Sequence, residues 1–71
     1  MTIDAIRDNI HHNMGNRVEV IHNEGRNKIT RYKGRVVEVY RNIFIVMDNN
    51  SKRSFSYYDV LTNTVKISFK L

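Results

Sequence analysis

The side chains in this 71-residue sequence that could bind a metal or move a proton near neutral pH are three histidines and seven carboxylates, since there is no cysteine. Asp8 and His12 have the i, i+4 spacing that brings two ligands to one face of a helix, but a tetrahedral metal site needs more donors and none recurs near them. His11 and His12 are adjacent, so they point to different sides. No metal site and no cofactor are expected. General acid-base catalysis requires carboxylates that converge in a dry pocket, whereas Asp48 and Asp59 each stand among turn-forming residues and read as acceptors of backbone amides. No Ser-His-acid pattern is present, and Gly15, Gly25 and Gly34 lie too far apart to form a phosphate-cradling loop. Catalysis is not expected. The lack of cysteine also excludes zinc-finger, iron-sulfur and thiol-nucleophile chemistry, and it fits a reducing cytoplasm.

Charge carries more information. Twelve lysines and arginines against seven acids give a formal net charge of +5. Residues 26–35 hold five of the basic side chains, Arg26, Lys28, Arg31, Lys33 and Arg35, and no acid, so the rest of the chain sums to zero. A local positive field of this kind attracts polyanions such as nucleic acid, acidic protein surfaces or anionic lipid. A plainer reading is a charged edge strand that keeps neighbouring chains from adding on. Arg31, Lys33 and Arg35 share one strand face, with Arg26 and Lys28 flanking a hairpin. Tyr32 lies within the run and reads either as a stacking platform or as core.

These residues need elements to position them. Ile3, Ile6, Ile10 and Met14 are spaced three, four and four apart, which predicts an amphipathic helix over 1–14 with Thr2 as N-cap and Gly15 at its end. So short a helix is marginal alone and must cover a sheet. From Arg17 the period changes to two. Val18 and Val20 alternate with polar neighbours, Asn23-Glu24-Gly25 reads as a hairpin turn, and a long second strand runs from Lys28 to Tyr40. The alternation slips near Gly34, where a bulge or a close backbone crossing would bend the strand. Ile43–Met47 is wholly apolar and is expected to be the most buried strand. Arg53–Tyr58 forms the fourth strand, Asp59-Val60-Leu61 one helical turn capped by Asp59, and Val65–Leu71 the clearest alternating strand.

A helix followed by five antiparallel strands, the second bent, predicts one mainly β domain over 1–71: a small SH3-like or Sm-like barrel over 17–71 with an N-terminal α-helix. Its expected core is Val18, Val20, Val36, Phe44, Val46, Phe55, Tyr57, Leu61, Val65, Ile67 and Phe69, with Ile6 and Ile10 packed on it. Tyr58 is expected on the surface. No apolar run approaches the roughly 18 residues of a membrane span, and Asp4 and Asp8 occupy the region where a secretion signal would be basic and then apolar. A cytoplasmic location and no membrane partner are expected.

Several segments, in their order and spacing, resemble the Veg protein family of Gram-positive bacteria. They are Ile6-Arg7, Gly15-Asn16-Arg17-Val18, Asn23 to Lys28, Gly34 to Tyr40, Asn42 to Val46 and Ser56 to Thr62. The likeness covers nearly the whole chain. It implies a small cytoplasmic β-barrel protein linked to biofilm development and to control of matrix-gene transcription, without a catalytic motif. Together with the basic segment it leads to a regulatory binding protein whose Arg26, Lys28, Arg31, Tyr32, Lys33 and Arg35 engage nucleic acid or an acidic transcription regulator. The alternative is an Sm-like barrel that binds RNA or DNA and assembles through its exposed edges as Sm-like rings do, and a homodimer is compatible with either reading.

Overall fold

Helix α1 (Ile3–His12) begins where the sequence supplies both a cap and an apolar stripe. In a computed structural model, which describes residues 2–70, the Thr2 hydroxyl accepts the Ala5 amide at 3.1 Å, satisfying one of the free donors of the first turn. Ile6 and Ile10 are buried and Ile3 is half-buried. The helix stops two residues before its predicted end, leaving Met14 exposed. The reason lies across the sheet. Gly15, at φ +84°, donates its amide to the Val36 carbonyl at 2.9 Å, and Arg35 Nη1 donates to the Gly15 carbonyl at 2.8 Å. These bonds draw the chain out of the helix and onto the second strand.

The five strands are β1 (Arg17–Asn23), β2 (Ile29–Val39), β3 (Ile43–Met47), β4 (Lys52–Ser56) and β5 (Val65–Lys70), with a short helix α2 (Tyr57–Leu61) between the last two. All pair antiparallel in the order β4-β3-β2-β1-β5. This is the mainly β architecture with an N-terminal helix that the periodicity predicts. β2 is long because it serves two neighbours: Ile29–Arg35 pair with β1, and Arg35–Val39 pair with β3. The sheet is open, with β4 and β5 at its edges. Ser56 passes directly from β4 into α2, so the chain crosses between the edge strands as helix and not as ladder.

The bend in β2 separates two functions that the sequence placed together at Gly34. The register shift lies between Val36 and Glu38, making Val37 the bulged residue. Gly34 is regularly paired with Val18, but a β-carbon there would stand 2.5 Å from the Met47 carbonyl oxygen. Gly34 therefore permits the close crossing, and Val37 absorbs the extra residue.

The buried core consists of Ile6, Ile10, Val18, Val20, Val36, Phe44, Val46, Phe55, Tyr57 and Val65. Leu61, Ile67 and Phe69, also expected in it, are partly buried against it. β3 departs from expectation. It is not buried throughout but alternates, with Phe44 and Val46 inward and Ile43 and Met47 exposed. Only one face of an antiparallel sheet is covered here, so apolar composition could not bury both.

Tyr57 is fully buried but begins α2 and does not end the fourth strand. Its ring stacks on Phe44 at 5.5 Å between centroids, and its hydroxyl donates to the Tyr40 carbonyl at 2.6 Å. The cap of α2 is also reassigned. The Ser56 hydroxyl accepts the Tyr58 and Asp59 amides at 3.0 and 3.4 Å, so Asp59 is not the acceptor. Ser56 has the extended backbone that an N-cap requires, whereas Asp59 already lies within the helix. Arg7 fastens α1 to the sheet. Its Nε and Nη2 both donate to the Arg41 carbonyl, at 3.1 and 2.9 Å, and its guanidinium lies 5.5 Å from the Tyr57 ring centroid.

Candidate functional site

Alternation along β1 and β2 sorts side chains by sign as well as by polarity. Val18, Val20 and Val36 turn inward, while Arg17, Arg31, Lys33 and Arg35 are exposed on the outer face. Register then sets these residues in rows. Arg17 pairs with Arg35, Glu19 with Lys33 and Ile21 with Arg31. On its other side, β1 places Ile21 opposite Lys66 and Glu19 opposite Ser68 of β5. With strands about 4.8 Å apart and same-face residues about 6.8 Å apart along a strand, Arg17, Arg31, Lys33, Arg35 and Lys66 occupy one three-strand area.

Among the described residues, Glu19 is the one acid that these rows contain. Its carboxylate lies 3.8 Å from Arg31 Nη1, an ion pair in which the acid is largely covered and the arginine largely exposed. Exposed pairs of this kind contribute little to stability, roughly 0–1 kcal/mol. Their effect on the field is larger, since Glu19 offsets one cation in the row. Among the described residues, Arg17, Lys33, Arg35 and Lys66 have no such ion pair.

The remaining expected site residues lie elsewhere. Arg26 and Lys28 are exposed at the tip of the β1–β2 hairpin, where Gly25, Arg26 and Asn27 have φ of 84°, 48° and 64° in succession. The curl is closed by the Lys28 amide donating to the Gly25 carbonyl at 2.8 Å and the Glu24 amide donating to the Lys28 carbonyl at 2.9 Å. Glu24 brings an acid to this tip. A hydrogen bond from the Thr30 hydroxyl, helped by Lys28, His22 and Arg53, holds its carboxyl below the usual range. Tyr32 is half-buried on the inner side, where its ring packs at 6.3 Å from Phe55. Its hydroxyl donates to the Ser51 carbonyl at 2.9 Å and the Arg53 guanidinium lies 5.5 Å from its ring centroid. Its core reading is therefore the one that geometry supports, and the outer row of cations has no ring from this residue. Tyr58, in contrast, is 61% exposed, as expected.

Sequence reasoning missed Arg17 and Lys66, which lie far from the basic segment but join it through register. Counting back from the expected turn Asn23-Glu24-Gly25 aligns Arg17 with Arg31, whereas the observed hairpin is centred on Arg26, with Asn23 opposite Ile29, and so aligns Arg17 with Arg35. It also missed that an open groove borders these cations, lined by Arg17, Lys33 and Arg35 on one side and by Val37, Met47 and Asp48 on the other. Met47 is the direct cross-strand partner of Arg35 and is 40% exposed. The Asn50 and Ser51 amides, both at 2.9 Å, hold the Asp48 carboxyl below the usual range.

The histidines offer no comparable cluster. His12 Nδ1 donates to the Asp8 backbone carbonyl at 3.0 Å, so the tautomer follows from a local bond within α1. Among the described residues no group of three or more His, Cys, Asp or Glu could hold a metal ion. No helix among them is long and apolar enough to cross a membrane.

One family profile, described as biofilm formation stimulator VEG, matches residues 1–68. No curated protein matches the chain.

Proposed function

Because the chain belongs to the biofilm formation stimulator VEG family, we propose that it acts in biofilm development as a non-enzymatic regulatory binding protein. In this reading it works in the cytoplasm and takes part in transcriptional control by capturing an acidic partner on the outer face of β1, β2 and β5. One observation carries the reading: Arg17, Arg31, Lys33, Arg35 and Lys66 share three cross-strand rows in which, among the described residues, Glu19 is the one acid, while Glu38, farther along β2, is paired with Lys52. Arginine grips carboxylate or phosphate in a bidentate manner and lysine acts as a point charge, so this face suits either anion. Arg26 and Lys28 extend the field past the hairpin tip.

The test is binding of polyglutamate and of a short DNA duplex, measured against salt. Affinity for a polyanion falls steeply with salt when several cations are engaged. Lys33→Glu combined with Arg17→Glu is expected to weaken polyglutamate binding about tenfold or more. Binding that ignores both salt and these charge reversals would overturn the reading.

The second reading, assembly through strand edges with nucleic acid as ligand, draws support from the open sheet, because β4 and β5 both end it. Lys52 and Arg53 on β4 and Lys66 on β5 carry the same sign, which disfavours pairing of one edge with the other between copies. Light scattering at low and high salt separates the readings, since an assembly held apart by like charges grows as salt rises and a monomeric binder does not.

A further inference from the structure

We propose that the groove between β2 and the end of β3 receives an acidic, amphipathic segment of a partner protein, which is a narrower statement resting on the proposed capture of an acidic partner. The groove has two chemically different walls. Arg17, Lys33 and Arg35 supply positive charge, and exposed Met47 with half-buried Val37 supplies apolar surface. The junction between the walls is a single cross-strand pair, Arg35 with Met47.

A segment with carboxylates on one side and apolar side chains on the other satisfies both walls at once. Carboxylates meet the guanidinium and ammonium groups, and leucine-like side chains cover Met47, whose unbranched thioether adapts to varied shapes. Arg35 is already oriented for this role. It spends one N–H on the Gly15 carbonyl, at 2.8 Å, and retains its other donors, so less side-chain freedom is lost on binding.

A nucleic-acid backbone fits the same groove less well, for three reasons. The apolar wall gives a phosphate chain nothing. Asp48 and Glu19 both line the groove and would repel it. Tyr32, the ring that could have stacked on a base, lies on the inner side with its hydroxyl bonded to the Ser51 carbonyl. A peptide can instead offer its backbone amides to those two carboxylates.

The experiment measures fluorescence anisotropy at physiological salt with four labelled probes against the full chain. The probes are a dodecapeptide alternating glutamate with leucine, its block-ordered isomer of equal composition, polyglutamate of equal charge, and a short DNA duplex. The variants are Lys33→Glu and Met47→Ser, and urea unfolding of each establishes that it is folded. Met47 is partly exposed, so its replacement is tolerated by the core. The alternating peptide is expected to bind about tenfold tighter than polyglutamate. Met47→Ser is expected to weaken that peptide about fivefold while leaving polyglutamate unchanged, and Lys33→Glu to weaken both.

Equal binding of the peptide, its isomer and polyglutamate, with no effect of Met47→Ser, would overturn the inference and leave the capture of acidic partners standing. Tighter binding of the duplex than of any peptide would overturn it in favour of nucleic acid. If no probe responds to Lys33→Glu, the inference and the reading beneath it fail together.

Discussion

Gly34 passes so close to Met47 that a β-carbon at position 34 would stand 2.5 Å from the Met47 carbonyl oxygen. The end of β3 is thereby folded tightly over the middle of β2, and the same crossing carries Arg35 and Met47 into direct pairing on the outer face. Backbone atoms cannot yield as a flexible side chain can. Gly34→Ala is therefore expected to destabilise the fold by about 2–3 kcal/mol, read as a lower urea midpoint at unchanged slope. An unchanged midpoint would mean that the crossing relaxes without cost.

Tyr57 anchors the opposite end of the core. Its hydroxyl donates to the Tyr40 carbonyl at 2.6 Å from a fully buried ring. Tyr57→Phe keeps the stacking on Phe44 and leaves that carbonyl without its donor, so a loss of about 1–2 kcal/mol is expected in denaturant titration.

The reassigned cap of α2 separates two neighbouring side chains. Ser56 accepts the amides at the start of the helix. Ser56→Ala is expected to cost about 1 kcal/mol, and Asp59→Ala to stay within about 0.5 kcal/mol, the range of ordinary surface changes. The reverse order in thermal melts would restore Asp59 as the cap.

Stability should depend on pH at both ends of the scale. The Asn50 and Ser51 amides favour the ionised form of Asp48 in the folded chain, so its carboxyl lies below the ordinary value. A depressed carboxyl contributes stability above its unfolded value and loses it as pH falls toward the folded one. The urea midpoint is expected to drop on acidification through that window, and Asp48→Asn to flatten the decline. At the alkaline end burial pushes the Tyr57 phenol up. Its neutral form then favours the fold, and stability should decline once pH passes the usual tyrosine value of about 10, an effect that Tyr57→Phe removes.

Glu19 opposes the charge that surrounds it, facing Lys33 in register and lying 3.8 Å from Arg31. Glu19→Gln is expected to strengthen polyglutamate binding about two- to fivefold and to steepen its salt dependence. Weaker binding would mean that Glu19 orients Arg31 for capture and does not offset it.

Much of the fold was legible because its signals are local. The isoleucine spacing and Thr2 specify α1, and the period-two alternation of β1 and β5 identifies which side chains face inward. Ten residues expected in the core are buried, from Ile6 to Val65, and Leu61, Ile67 and Phe69 lie against them. The misread positions have two causes. Ile43 and Met47 are apolar but stand on the uncovered face of β3, and composition cannot report which face a neighbour will cover. Tyr57 and Ser56 lie at a strand-to-helix junction, where the two periodicities overlap and a one-residue shift reassigns both.

The amino-acid order by itself determined the basic excess of residues 26–35, the alternation that turns Arg31, Lys33 and Arg35 to one side, and the helix that covers the sheet. Each depends on side-chain types at fixed spacing along one segment. Tertiary structure decided which other residues join them. Arg17 and Lys66 enter the cationic area through strand register, Tyr32 leaves it for the inner side, and Met47 arrives beside Arg35 because β2 bends at Val37 beneath a crossing that Gly34 allows. Register and bending are set by contacts between segments distant in the chain, and no single segment encodes them.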